Sequence, residues 1–519
     1  INLSPMDVSM RTLYEDFFPP FERAIEAGVF TFMAAHNEIN GEPAHGSKFL
    51  LTEVLREDWK FDGFVVSDWM DVSRLHTFHK VAENPKEAVY QTVDAGMDMN
   101  MHGPNFAPYV LELVKEGRLS ERRIDDSVRP ILTAKFRLGL FEKSIVDKEV
   151  SKDSIHTAEH QQTSLDIARE SIVLLKNKGD VLPLKPGIKI MLTGPNADNH
   201  SILGDWVMRQ PDENITTIRE GLEAVEGIEL DFVDVGSQVN DITTEKINRV
   251  VESISDQDVI VIAVGENPLR YDRKGKTTGE NVARSSLGLF GRQLEMIQAA
   301  KLMGKPIVVI LVNGRPIAEP WLVENIDVII EAWEPGAKGG EALADIIMGQ
   351  INPSGKLPIT IPYSVGHLQA IYDHKPSAYR HKFVDTPTKN LFEFGFGLSY
   401  STYEYEAPKL SKKQIKSDES TSISVKLTNT GKYGGAEIVQ LYIRDDFSQI
   451  TRPVKELKGF KRIYLESGES ATIEFLVEPD MLAYYNRDME WTVEQGSYTL
   501  MIGPSSRQSD LKSAKLIVN

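Results

Sequence analysis

The segment Gly63-Phe64-Val65-Val66-Ser67-Asp68-Trp69 sets an acidic side chain directly after a short apolar run. Parallel-barrel enzymes hold their catalytic groups at the carboxyl ends of buried strands, which makes Asp68 a candidate catalytic carboxylate. Trp69 beside it offers an apolar face on which a sugar ring can stack. The competing reading is an Asp that caps the helix after it. A second candidate is the loop after Val264, which carries Glu266, Asp272 and Glu280 among Arg270, Arg273, Lys274, Lys276 and Arg284. Polar loops are commonly solvated and inert, but a connection running from Gly265 to Phe290 far exceeds the usual few residues of an α/β turn and points to function. His76 and His79 have a His-x-x-His spacing without a third ligand and read as a solvated helix face. No metal or other cofactor is expected.

These residues need elements to hold them. Helical periodicity marks Thr12 to Ala27, Lys48 to Trp59, Pro85 to Ala95, Ala107 to Glu116 and Ser127 to Leu138. Buried strands are expected at Val29 to Ala35 and Phe64 to Ser67, with a third, short one at Met97 to Met101. Short strands separated by helices imply parallel βα units. After a polar stretch at Glu142 to Asp153, a long helix is predicted from His156 to Lys176, followed by strands at Ile188 to Thr193, Val259 to Val264, Pro306 to Val312 and Val328 to Ala332. Each strand stops at a glycine-bearing turn, as in an open parallel sheet that binds ligand at its carboxyl ends. From about residue 400 the period changes to two. Ser422 to Thr428, Glu437 to Arg444, Ser470 to Leu476 and Ser497 to Ile502 read as strands of a small β-sandwich.

The 519 residues hold 58 Lys and Arg against 76 Asp and Glu, a formal charge of −18. So acidic a surface repels phosphate backbones and anionic lipid, so neither nucleic acid nor membrane is expected as a partner. There is no cysteine, which removes disulfides, thiolate metal sites and cysteine nucleophiles. No apolar run approaches the roughly 20 residues of a membrane span.

Taken in order, the motifs resemble glycoside hydrolase family 3. Met33-Ala34-Ala35-His36-Asn37-Glu38-Ile39-Asn40-Gly41, then Leu50-Leu51 with Leu55-Arg56, then Gly63 to Trp69 look like the nucleophile region of that family. Gly204-Asp205-Trp206, Asn313-Gly314-Arg315-Pro316, Trp333 to Gly336 with Gly339-Gly340, and Asn352-Pro353-Ser354-Gly355-Lys356-Leu357-Pro358 match its second domain. Phe394-Gly395-Phe396-Gly397-Leu398-Ser399-Tyr400 matches the entry to its fibronectin-like domain. The fold implied is α/β: the C-terminal part of a (β/α)8 barrel over 1–150, a doubly wound α/β sandwich domain over 160–365, a linker over 366–400, and a fibronectin type III-like β-sandwich over 401–519.

The resemblance implies a retaining, exo-acting β-glucosidase that forms a covalent glycosyl-enzyme. Asp68 takes the nucleophile position. Glu280 takes the acid/base position by its offset from Leu287-Gly288-Leu289-Phe290-Gly291-Arg292-Gln293, where the family often has proline at the place of Phe290; Glu266 is the runner-up. One carboxyl from each domain would place the sugar between them. Trp69, Met33 and His36 are the expected substrate-binding residues, although the family commonly carries an aromatic where His36 stands. The substrate expected is a β-glucoside or β-glucan oligosaccharide. A β-xylosidase or mixed-specificity enzyme is the alternative, and a noncatalytic carbohydrate-binding protein is the alternative of another class. A periplasmic or secreted bacterial location follows from the resemblance. Only three strands precede the second domain where a barrel has eight, and the family's upstream glycone-binding residues have no counterpart before Met33. An upstream polypeptide of roughly 200 residues completing the barrel is therefore expected. The oligomeric state is not readable, and a homodimer stays open.

Overall fold

The computed structural model describes residues 4–378 and 382–519, and the chain forms two compact units, Ile1–Ile155 and His156–Asn519. Residues 1–3, at the start of the expected barrel portion, and 379–381, inside the expected linker, lie outside the described residues.

In the first unit the chain runs through α1 (Pro19–Glu26), β1 (Thr31–Met33), α2 (Phe49–Asp58), β2 (Phe64–Val66), α3 (Asp71–Thr77), α4 (Pro85–Ala95), α5 (Phe106–Lys115) and α6 (Glu121–Arg137). The helix expected over Thr12 to Ala27 is broken at Phe18, because Pro19 and Pro20 lack the N–H that would continue it and instead start a new helix. β1 and β2 pair in parallel, Met33 opposite Val66. Among the described residues β1 has a strand neighbour on one side, and Thr31 and Met33 are exposed along it. Met97 to Met101 forms no strand. It contributes a single parallel bridge, Val66 to Met99, because Asp98 between the two methionines turns inward as an ion-pair hub.

The second unit opens with α7 (Ala158–Ser171), which gives way at Ile172 to β3 (Val173–Asn177). The helix expected to run on to Lys176 is thus cut short, because Val173, Leu174 and Leu175 bury themselves more completely as an edge strand antiparallel to the last strand of the sheet. Then come β4 (Lys189–Thr193), β5 (Glu229–Val233), β6 (Val259–Gly265), β7 (Ile307–Val312) and β8 (Val328–Trp333), in the spatial order β3-β8-β7-β6-β4-β5, all but β3 parallel. The near-continuous apolar runs reflect burial on both faces. Ile190, Leu192, Val261, Ala263 and Ile310 point into one core with helices Ala158–Ser171, Ile218–Glu223 and Gly339–Ile347. Met191, Ile260, Ile262, Val264 and Val309 point into another with helices Thr244–Glu252 and Gln293–Lys301.

The strand order reverses between β4 and β6, and at such a switch point the two following loops part and leave a crevice. Both strands end on glycines that pack against backbone. A Cβ on Gly194 would stand 2.1 Å from the Ala263 carbonyl oxygen, and one on Gly265 2.0 Å from that of Val312.

Beyond the linker, Thr421–Asn429 pairs with Ser470–Val477, and Gly435–Asp445 lies between Glu456–Leu465 and Gly496–Gly503. The two sheets enclose Ile423, Val425, Val439, Leu441, Phe475 and Leu500. The sandwich is tied to the α/β sheet by Lys356, which sits 3.2 Å from Glu437, and by Asn352, which donates to the Gly434 carbonyl.

Candidate active site

Asp68 lies just past the carboxyl end of β2. Its Oδ1 accepts the Trp69 N–H at 2.6 Å, and its Oδ2 is 2.9 Å from His36 Nε2. Its own backbone N–H donates to His45 Nε2 at 3.0 Å. Helix α3 has Met70 at its N-cap, with no side chain capping it. Asp68 therefore spends its carboxylate on the adjacent turn and on His36, not on the helix. Trp69 stacks on the His102 ring at 4.0 Å between centroids and keeps 56% of its surface exposed, so a broad aromatic face stands next to the carboxylate. Met33, on β1, is half exposed.

His36 is clasped from behind. Its Nδ1 is 2.5 Å from Oδ2 of Asp71, which is buried and also accepts from Arg74. His45 is buried at the same place, and burial pulls its pKa down to about 4 even though Asp71 and Asp68 push the other way. His45 is thus a neutral acceptor for the Asp68 backbone. Among the described residues, His36, Asp68 and Asp71 are the group whose donor atoms converge, within 4.8 Å, as a metal site would need. Within the group each ring nitrogen of His36 lies at hydrogen-bond distance from one carboxylate, and the Arg74 cation contacts Asp71 and Nδ1. His76 and His79 take separate partners: His76 Nδ1 donates to the Ala82 carbonyl, and the side chain of His79 is buried against Glu38 at 3.2 Å. The solvated helix face expected for them is corrected for His79, because the helix ends at Thr77 and turns it inward.

In the second unit, Glu266 and Glu280 both belong to the loop after β6 but stand in different surroundings. Glu266 is fully buried, with Oε1 2.5 Å from Arg315 and 3.4 Å from Arg284. Glu280 is partly exposed and accepts from Arg270. Its backbone N–H donates to Asp205 Oδ2 at 2.6 Å, and Lys276 spans the two by donating to Asp205 Oδ1 at 2.6 Å and to the Glu280 carbonyl at 3.2 Å. Asp205, in the loop after β4, thereby anchors the Glu280 turn. Gly279 makes that approach possible, since a Cβ there would lie 2.6 Å from Asp205 Oδ2. Burial alone would raise the Asp205 pKa, but Lys276, the Glu280 N–H and Arg270 outweigh it and hold the carboxyl below its usual range. Arg270 in turn lies over Trp206, its Cζ 3.5 Å from the ring centroid. Glu334, at the end of β8, has its pKa pushed up to about 7, chiefly by burial and further by the charges of Asp205 and Glu266, with Lys276 opposing.

Sequence reasoning named Asp68, Trp69, Met33 and His36 in one unit and Glu266 and Glu280 in the other. It missed Asp71, His45 and Arg74 behind His36, and the tethering role of Asp205. The available signals were the acidic residue three positions after Asp68 and the Gly204-Asp205-Trp206 triplet.

Residues 1–134 match the glycosyl hydrolase family 3 N-terminal domain, residues 172–400 the C-terminal domain of that family, and residues 437–506 a fibronectin type III-like domain. A β-xylosidase of Formosa agariphila is 37% identical over the whole of this chain and 73% of its own length. A periplasmic β-glucosidase of Salmonella typhimurium is 33% identical over 99% of this chain and 71% of its own. The crystal structure of a β-glucosidase from Listeria innocua in complex with glucose superposes with a TM-score of 0.93 at 31% identity, covering 99% of this chain and 71% of that one. The chain belongs to glycosyl hydrolase family 3, within the β-glucosidase and β-xylosidase enzymes of that family.

Proposed function

We propose that this chain carries both catalytic carboxyls of a retaining, exo-acting β-glucosidase. In this reading Asp68 attacks the anomeric carbon while Glu280 protonates the leaving oxygen. Glu280, now a carboxylate, then draws the proton from a water molecule that cleaves the glycosyl ester. The observation that carries it is the setting of Asp68: a carboxylate at a strand end, each oxygen given one donor, beside an exposed indole on which a glucosyl ring can stack. Trp69, Met33 and His36 line the glycone side. Glu280 is preferred to Glu266 as acid/base because a general acid must reach the glycosidic oxygen. Glu280 is partly exposed on a turn, whereas Glu266 is buried and clasped by two arginines. The nucleophile falls in a barrel portion over 1–150 and the acid/base loop in the domain over 160–365, with 366–400 linking to the sandwich over 401–519.

Glucose in the Listeria structure and the β-glucosidase name of the Salmonella relative support the glucoside. The Formosa relative, named a β-xylosidase, favours a second reading with xylosides. An exported location is supported by the periplasmic name of the Salmonella relative; no helix among the described residues is long and apolar enough to cross a membrane. Hydrolysis of 4-nitrophenyl β-glucoside and β-xyloside by the full-length protein tests the reading. The glucoside is expected to be cleaved with the higher kcat/KM and with retained configuration. Asp68→Ala, which opens no core cavity, is expected to lower turnover by at least about 10³-fold while the protein stays folded. An inverted product or near-native turnover in that variant refutes it.

A further inference from the structure

His36 stands where an aromatic would be expected, and its two ring nitrogens face two carboxylates. Nε2 is 2.9 Å from Asp68 Oδ2 and Nδ1 is 2.5 Å from Asp71 Oδ2. We propose that His36 is a positioning residue for covalent turnover: braced by Asp71, it holds an N–H on Oδ2 of Asp68 and stabilises that carboxylate as it departs from the glycosyl-enzyme. The proposal rests on the reading of Asp68 as nucleophile.

An ionised carboxylate has no proton to offer, so at the contact with Asp68 it is His36 Nε2 that donates. Arg74 Nη1 donates to Asp71 Oδ1 and to His36 Nδ1 at 3.0 Å, so Asp71 and Arg74 together hold the Nδ1 side of the ring and leave Nε2 to Asp68. The fourth group, His45, is a neutral acceptor for the Asp68 N–H. Asp71 is nearly inaccessible, which makes it a fixed backstop, while Asp68 keeps a quarter of its side chain open to a substrate.

This arrangement acts unequally on the two halves of the reaction. A donor on the free nucleophile stabilises its charge and blunts attack. In the second half, the bond between the anomeric carbon and Asp68 breaks and its electron pair returns to the carboxylate. Water adds to the carbon, and its proton goes to the general base. The charge that reappears on Asp68 then meets the His36 Nε2–H already in place, and no proton passes through His36. Breakdown of the intermediate is therefore helped more than its formation.

The test uses the full-length protein and a 2,4-dinitrophenyl glycoside, whose fast first step leaves breakdown of the intermediate to limit kcat. His36→Phe keeps a ring and removes the Nε2–H. It is expected to lower kcat about 10- to 100-fold, the span of a charge-assisted hydrogen bond, with KM falling in parallel and kcat/KM little changed. Asp71→Asn is expected to shift both the same way by less, and His36→Gln, which keeps one N–H within reach, to recover part of the loss. An unchanged kcat in His36→Phe, or a loss confined to kcat/KM, overturns the proposal. Should that variant not fold, reactivation of the 2-deoxy-2-fluoroglycosyl-enzyme of Asp71→Asn decides: slower reactivation than in the wild type supports the role and an equal rate overturns it. Mapping the trapped sugar to a residue other than Asp68 defeats the nucleophile reading itself, whereas trapping on Asp68 with an unchanged reactivation rate defeats only the role of His36.

Discussion

At the residue scale, two carboxyls in one loop compete for one role, and their surroundings decide between them. The Asp205, Lys276 and Arg270 contacts leave the Glu280 carboxyl reachable on an anchored turn. Glu266 instead pairs with Arg315 and Arg284 inside the crevice at the sheet's switch point, and among the described residues one of its oxygens has no hydrogen-bond partner. Glu280→Ala is therefore expected to keep turning over aryl glycosides whose leaving groups need no proton, to lose activity on alkyl glycosides by about 10²- to 10⁴-fold, and to be rescued by azide as an outside nucleophile. Steady-state rates with and without azide, and isolation of the glycosyl azide, check this. Azide rescue of Glu266→Ala in its place would exchange the two roles. Glu266→Ala is expected to strand two arginines and lower stability, a loss visible in a melting curve and not in leaving-group dependence.

At the element scale, the strand that carries Asp68 is short and held as much by charge as by its ladder. Asp98 is buried, with Oδ2 2.5 Å from Arg56 and accepting the Val65 N–H at 2.9 Å, and with Oδ1 accepting from Ser127 and Arg123. One side chain thus joins β2 to α2 and α6. Asp98→Ala leaves Arg56 and Arg123 without their anion and is expected to cost about 3 kcal/mol, read as a fall in the denaturant midpoint, and to lower kcat by releasing the turn that bears Asp68. A melting curve unmoved by that change would mean the helices alone fix the strand. Asp98 also shows what the sequence could not disclose. Met97 to Met101 has the apolar period of a strand, but the ion-pair hub in its middle depends on partners 42 and 25 residues away in the chain. The same holds where Ile172 ends a helix: Val173 to Leu175 is apolar enough for either state, and only the neighbouring β8 makes a strand of it. By contrast, β6, β7 and β8 were legible because burial on both faces leaves an uninterrupted apolar run. Asp68 and Glu280 were legible because each sits at a fixed offset from such a run, whereas the brace behind His36 exists only once Asp71 and Arg74 have been folded onto it.

At the scale of the whole molecule, the two units carry buried titratable groups of opposite pH sense. In the first, His45 has its pKa pulled from 6.5 to about 4 by burial. The unfolded chain takes up a proton there below about pH 6.5 and the folded chain does not, so this stability is complete above about 6.5 and is lost as pH falls through about 4. In the second, Glu331, buried on β8 and accepting the Trp333 N–H at 3.0 Å, has its pKa pushed from 4.5 to about 8, chiefly by burial. The unfolded chain gives up that proton above about 4.5 and the folded chain keeps it, so this stability is complete below about 4.5 and is lost as pH rises through about 8. At about 1.4 kcal/mol per pKa unit each effect is worth on the order of a few kcal/mol. Calorimetry of the chain is therefore expected to show two transitions, one for Ile1–Ile155 that weakens toward pH 4 and one for His156–Asn519 that weakens toward pH 8. Other carboxyls titrate in the same range, so the two groups are isolated by substitution. Glu331→Gln keeps the acceptor for Trp333 and is expected to raise the second transition at pH 8 and leave it nearly unmoved at pH 4.5. His45→Gln keeps an acceptor for the Asp68 N–H and is expected to flatten the acid decline of the first transition only. A single transition, or a Glu331→Gln gain equal at both pH values, would show that burial of these two groups does not govern the pH dependence of the units that hold them.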